Sequence, residues 1–371
     1  LHPKQAGIAQ LVEHNLAKVG VAGSSLVSRS FRAQAAMEVL HSRFLFMHLS
    51  LPLPITNLLR PMMNPTQTTD TLLMVRPANF GFNDQTAQSN AFQQNDTSLS
   101  PAEISRRAVQ EFDSFVQKLR NAGVQVIVAD DTPNPVKPDA IFPNNWVSFH
   151  ENGTIITYPM YAPSRRIERS ESIINQVLGY RTATHRIDFA NYEAQNVFLE
   201  GTGSLIFDRV QGIAYACLSP RTHATLFDEF CAATGYQKVQ FTATDANGQL
   251  IYHTNVMMAM GNSFVVICME SIADLAERQH LYDLFAQTNK EVIELSFDQM
   301  NHFAGNMLQV QNTTGKTFLV MSSQAHEALT PLQIQTIERH TNILHSPLTT
   351  IETYGGGSAR CMMAEVFLPA K

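Results

Sequence analysis

Long apolar runs are missing from this 371-residue chain. A helix needs about twenty consecutive apolar residues to cross a bilayer, and no stretch supplies them, so no membrane partner is expected. Cysteine is scarce. Cys217, Cys231, Cys268 and Cys361 stand far apart with no CxxC spacing. That pattern indicates neither a zinc site nor a disulfide framework, and it fits a reducing cytoplasm. A basic surplus is lacking too, since the formal net charge is -6. A nucleic-acid partner would call for a positive patch or excess. What is present is the composition of a soluble globular protein, long enough for one large domain or two ordinary ones.

The chain opens on Leu1 rather than Met. Residues 1–62 show no coherent periodicity, and 7–31 read like the conceptual translation of a structural-RNA gene. A targeting segment is the alternative, because 44–59 is apolar, but acidic residues interrupt the basic stretch before it and the cleavage pattern is weak. Met62 or Met63 is the preferred start. Residues 1–62 are therefore expected to be a misassigned or disordered extension, and 64–371 a single domain.

From Thr71 a pattern sets in. Residues 71–75 read as a strand, and a polar loop at 79–98 is long enough to serve as a lid. Ser100-Pro101-Ala102-Glu103 then reads as a capping box with Pro at the first helical position. Ile104, Ala108, Phe112, Phe115 and Leu119 follow at helical spacing up to Gly123, and 124–129 reads as a strand. The order hairpin, helix, strand then recurs. Hairpins are expected at 146–150 with 154–158, 203–207 with 213–218, 256–260 with 264–268, and 307–311 with 317–321. Helices are expected between them at 164–178, 222–234, 272–288 and 331–340. Turns recur about every 50 to 60 residues, the period of a supersecondary unit repeated around an axis.

The repeat ends on Tyr354-Gly355-Gly356-Gly357-Ser358-Ala359-Arg360-Cys361-Met362, followed by an apolar, strand-like run at 362–368. Glycines let a backbone approach a ligand closely, and a cation beside a thiol favours its reactive thiolate. A nucleophile fits this loop, as does a small core cysteine behind a turn. Other units place polar residues just ahead of their hairpins: Pro143-Asn144-Asn145, Phe198-Leu199-Glu200-Gly201 and Tyr252-His253-Thr254-Asn255. Cys, His and a carboxylate are the parts of nucleophilic catalysis with an oriented acid–base.

These segments resemble the guanidine-modifying superfamily of arginine deiminases, dimethylarginine hydrolases and amidinotransferases. The resemblance runs from about Leu72 to the C-terminus. It implies an α/β fold, the pentein, a propeller of five blades. Gly355 to Met362 resembles the family's nucleophile loop, Phe198-Leu199-Glu200-Gly201 its Glu-Gly motif with Thr202-Gly203 in place of Gly-Asp, and Tyr252 to Val256 its His-x-Asp segment. Ser219-Pro220-Arg221-Thr222 resembles the segment that holds a substrate carboxylate. The resemblance implies Cys361 as nucleophile, His253 as acid–base, Glu200 as its partner and Arg221 as carboxylate clamp. Arg165 or Arg166 is a second clamp, Arg166 being taken forward.

Arginine deiminases grip the guanidinium with two Asp side chains, and Asn145 and Asn255 stand at those positions here. Amides offer a donor and an acceptor without charge, which suits a neutral ureido group. Asp139 restores a negative charge if it points inward. The closest resemblance is to a bacterial subgroup of citrulline hydrolases, so the expected substrate is a free amino acid, most of all citrulline. For a neutral substrate, Arg360 and a protonated His253 are the expected cations beside the thiolate. No metal or organic cofactor is implied, and self-association as a homo-oligomer is left open. Arginine deiminase is the alternative, then an amidinotransferase, then a non-catalytic pentein that binds by surface contact.

Overall fold

The computed structural model describes residues 65–371; the reading of 1–62 lies outside the described residues. The expected repeat is realised as five three-stranded sheets of one construction. β1 (Thr71–Arg76) leads through helix α1 (Pro101–Asn121) to the parallel strand β2 (Gln125–Asp130). The second unit is hairpin β3 (Val147–Phe149) and β4 (Thr154–Thr157), helix α2 (Glu171–Leu178), then β5 (His185–Asp188) parallel to β4. The third runs β6 (Ile206–Asp208), β7 (Ile213–Cys217), α3 (Ala224–Thr234) and β8 (Gln237–Phe241). The fourth runs β9 (Met258–Met260), β10 (Phe264–Ile267), α4 (Leu275–Gln287) and β11 (Glu291–Glu294). The fifth runs β12 (Leu308–Gln311), β13 (Thr317–Ser322), α5 (Pro331–His340) and β14 (Asn342–Ser346).

The first sheet lacks a hairpin of its own. Its antiparallel strand comes from the far end of the chain, where β15 (Ala364–Glu365) sets Glu365 opposite Leu72 and Ala364 opposite Leu73. The end of the chain thereby completes the first unit, and Cys361 sits just ahead of the joining strand.

Helix α1 shows how the sequence dictates a unit. Ser100 caps it by accepting from the Glu103 amide, and Ile104, Ala108, Phe112, Phe115 and Leu119 are all buried. They share one core with Leu72 and Met74 of β1 and Val320 of β13. The reciprocal arm of the expected capping box is not made: the Glu103 carboxylate receives Arg106 at 2.7 Å and Arg107 at 2.6 Å instead.

Other differences share one cause. Residues 203–207 and 256–260 were expected to be strand from their first residue, and 362–368 to be strand throughout. Instead Gly201–Ser204, Thr254–Val256 and Ala359–Met362 are short helical turns, and the strands begin later. A strand would send alternate side chains to opposite faces, whereas a helical turn gathers polar groups on one side. The helix expected at 164–178 is divided into Pro163–Arg166 and α2, with the buried Glu168 between them bonded back to Arg165. Among the described residues no helix is long and apolar enough to cross a membrane.

Candidate active site

The polar turns ahead of the strands converge. Cys361 lines a small cavity together with Asp139, Asn145, Arg165, Arg221, Tyr252 and His253. The Cys-bearing loop is tied down on several sides. The helical turn Thr349–Gly355 ends on Gly356 at φ +60, a conformation glycine takes without penalty. The Gly356 carbonyl accepts from Tyr252 Oη at 2.8 Å and from Asn90 Nδ2 at 3.2 Å. Ser358 donates to the buried Glu352 at 2.6 Å.

His253 Nε2 lies 2.8 Å from Glu200 Oε2, both side chains buried. Burial alone would push the Glu200 carboxyl up. The Arg221 guanidinium, the His253 hydrogen bond and Arg165 outweigh it and hold Glu200 at about 2. An ionised carboxylate only accepts, so Nε2 carries the proton and Nδ1 keeps its lone pair. Burial lowers His253 to about 4 in spite of Glu200, with Arg221 and Arg165 adding to the effect. His253 is therefore neutral at physiological pH, which corrects the expectation of a protonated imidazole beside the thiolate.

The second expected cation is also engaged elsewhere. Arg360 donates to the Met363 carbonyl at 2.8 Å and pairs with Glu365 at 2.8 Å. The sulfur is instead met by two side-chain amides, Asn255 Nδ2 at 3.4 Å and Asn306 Nδ2 at 3.2 Å. Asn255 thus faces Cys361, and its Oδ1 is buried without a partner among the described residues.

Asn145 is held from the other side by Arg165, whose Nη1 donates to Oδ1 at 2.8 Å. Arg165 is buried and also binds Glu168 at 2.8 Å and the Phe142 carbonyl at 3.2 Å. Burial pushes Glu168 up to about 7 against the pull of Arg165. Asp139 does point inward. Its Oδ2 accepts from Asn83 at 2.7 Å and Thr86 at 3.2 Å, while Oδ1 is buried with no partner among the described residues, and burial raises its carboxyl above the ordinary range.

Arg221 lines the cavity with its guanidinium 4.8 Å from the Tyr252 ring centre. It bonds to Ser89 Oγ at 2.7 Å and the Thr86 carbonyl at 3.1 Å, so it grips the segment read as a lid. Arg166 is placed differently from expectation. It lies in a neighbouring cleft with Tyr161, Phe198 and His223, its Nε bonded to the Met160 carbonyl at 3.0 Å. Adjacent residues of one helical turn face about 100° apart, and here Arg165 takes the inward position.

Asn306, Glu168 and Tyr252 belong to the site beyond the residues read from the sequence. A signal existed for Asn306: it stands just ahead of the fifth unit's hairpin, the place that yielded Asn145 and His253 in other units. Among the described residues, no group of three or more His, Cys, Asp or Glu side chains is placed to hold a metal ion.

Five like sheets, with Cys361, His253 and Glu200 at the ends of separate units, accompany a match to the guanidine-modifying enzymes of the pentein superfamily. The profile of the family described as N,N dimethylarginine dimethylhydrolase, eukaryotic, matches residues 76–368, and the chain belongs to that family of carbon–nitrogen hydrolases.

Among solved structures, unliganded ArgZ, an arginine dihydrolase from the ornithine–ammonia cycle in cyanobacteria, is similar at TM-score 0.63 and 16% identity, over 81% of this chain and 41% of that one. The chain thus spans about two fifths of that protein. The substrate-bound N-terminal domain of ArgZ gives TM-score 0.62 at 16% identity, over 81% of this chain and 98% of that domain. A dimethylarginine dimethylaminohydrolase adduct with S-methyl-L-thiocitrulline gives 0.53 at 14% identity, covering 80% and 99%. At such identities the likeness is one of fold. No curated protein sequence matches the chain.

Proposed function

We propose that the protein is a cysteine-dependent hydrolase of free amino acids that converts citrulline to ornithine, ammonia and carbon dioxide. One observation carries the choice of a neutral ureido group. Where arginine deiminases place two Asp, this site has two amides, and both are engaged as amides: Asn255 donates to Cys361 and Asn145 accepts from Arg165. An arginine guanidinium bound there would lose its hydration without the pair of carboxylates that compensates it.

Neutral His253 takes the Cys361 proton, and the sulfur attacks the ureido carbon. One carbon–nitrogen bond breaks as His253 returns the proton to the departing nitrogen, leaving a carbamoyl thioester on Cys361. His253 then draws a proton from water, whose oxygen attacks the thioester and restores the thiol. The carbamate released splits to carbon dioxide and the remaining amine. Citrulline and one water thus give ornithine, ammonia and carbon dioxide. Arg221 is the clamp for the substrate carboxylate, and the unpartnered Asp139 oxygen suits its ammonium group.

The setting proposed is the cytoplasm, in keeping with four free cysteines. The five sheets are the blades of a closed five-bladed propeller, a reading supported by β15 joining the last unit to the first. A guanidino substrate is the second reading, favoured by that same Asp139 oxygen, which gives a cation one carboxylate. Incubation with citrulline and with arginine separately, reading ornithine, citrulline and ammonia, tests the choice. Ornithine from citrulline supports the proposal; citrulline accumulating from arginine supports the alternative.

A further inference from the structure

Phe303 has a left-handed backbone, φ +61, which is uncommon for a bulky aromatic residue. Two residues on, Gly305 packs so tightly against the backbone at Val256 that a Cβ would overlap the Val256 carbonyl oxygen. This bent segment carries none of Glu200, His253 or Cys361. It delivers Asn306, which is buried at 1% exposure with both ends of its amide engaged. Oδ1 accepts from the Arg360 backbone N–H at 3.0 Å. Nδ2 donates to the Asn255 backbone carbonyl at 3.0 Å and to Cys361 Sγ at 3.2 Å. A backbone N–H only donates and a backbone carbonyl only accepts. The amide therefore cannot turn round without setting donor against donor and acceptor against acceptor. Its N–H faces the sulfur whatever the protonation of the cysteine.

We propose that Asn306 is a catalytic residue, one half of a two-amide cradle that, with Asn255, donates to the Cys361 sulfur and favours its thiolate. The inference rests on the reading of Cys361 as nucleophile. Hydrogen bonds to the charged form of an acid stabilise that form. The need is specific to this site. Arg360 is committed to Glu365 and the Met363 carbonyl, and a ureido substrate brings no positive charge of its own. Neutral donors fixed by the backbone fill the place of a cation without repelling His253 when it takes up a proton.

The test follows the rate of Cys361 alkylation by iodoacetamide against pH in the native protein, Asn306→Ala and Asn306→Asp, with Cys361→Ala as the blank for the other three cysteines. Asn306→Ala removes the donor. Asn306→Asp keeps an acceptor for the Arg360 N–H and sets an acidic oxygen against the sulfur, so the result is secured if either variant folds. The alkylation midpoint is expected to rise by about one pH unit or more. For citrulline, kcat is expected to fall about tenfold or more while KM stays within about threefold. A structural role alone would lower the melting temperature and leave the midpoint in place. Folded variants that alkylate with the native midpoint would overturn the proposal. Failure of the nucleophile assignment reads differently, as turnover retained in Cys361→Ala.

Discussion

Arg165 Nη1 lies 2.8 Å from Asn145 Oδ1, and this bond decides which way the Asn145 amide faces. The oxygen is taken, so Nδ2 is left as a buried donor without a partner among the described residues. Such an orphan costs about 1–3 kcal/mol, a cost that a bound acceptor such as a ureido oxygen would remove. Asn145→Asp abolishes that donor and turns the contact into an ion pair with Arg165. Citrulline kcat/KM should fall by about tenfold or more. With Asn255→Asp added, the arginine-to-citrulline ratio should rise by a similar factor, chiefly through loss on citrulline. Steady-state kinetics on both amino acids checks this; an unchanged ratio would remove the amides from the specificity argument.

Cys361→Ala should abolish turnover, because in the proposed mechanism the thiolate forms the bond to carbon. The fold should survive, since the loop remains anchored through the Gly356 carbonyl and Ser358. Circular dichroism and ammonia release measured together report both halves. Activity within about tenfold of native would exclude the covalent mechanism.

The acid limb of kcat/KM should lie far below the ordinary histidine range. In the proposed mechanism His253 acts as base only when neutral, and burial lowers it to about 4 from 6.5, so the rate should hold to about pH 5 and fall as pH approaches 4. The linkage has a definite sign. Between 6.5 and 4 the unfolded chain binds a proton at His253 that the folded chain does not. This group's contribution to stability is therefore lost as pH falls through that window. A limb near 6.5 in protein shown to be folded would mean that the imidazole is less buried in solution.

The two neighbouring clefts make opposite predictions. Arg221→Lys keeps the charge but loses the fork that spans Ser89 and Thr86 and that the proposed function assigns to a substrate carboxylate; KM should rise about tenfold and kcat change much less. Arg166→Ala, in the outer cleft, should leave kcat/KM within about twofold. Equal effects of the two changes would show that the cleft and the Cys361 cavity act as one site.

The sequence spoke most clearly where burial sets the pattern. Helix α1 was legible because Phe112, Phe115 and Leu119 must share one face, and the hairpins because a glycine such as Gly153, at φ +83, punctuates two apolar runs. Cys361, His253 and Glu200 stood out through their equivalent places in successive units. Asn306 did not, because Gly-Asn ahead of a strand is an ordinary turn until the αL bend at Phe303 is seen to aim it. Arg165 and Arg166 were indistinguishable for a different reason: which one faces inward depends on Glu168 and the Phe142 carbonyl, contacts made only in three dimensions. The neutral state of His253 depends on burial, to which residue order alone is blind.

The most direct measurement is the ratio of kcat/KM for citrulline to that for arginine in the native protein, with ornithine and ammonia as products. The account predicts a ratio well above one, on the order of tenfold or more, with ornithine and ammonia formed from citrulline in equal amounts. A ratio below one, with citrulline accumulating from arginine, would contradict it.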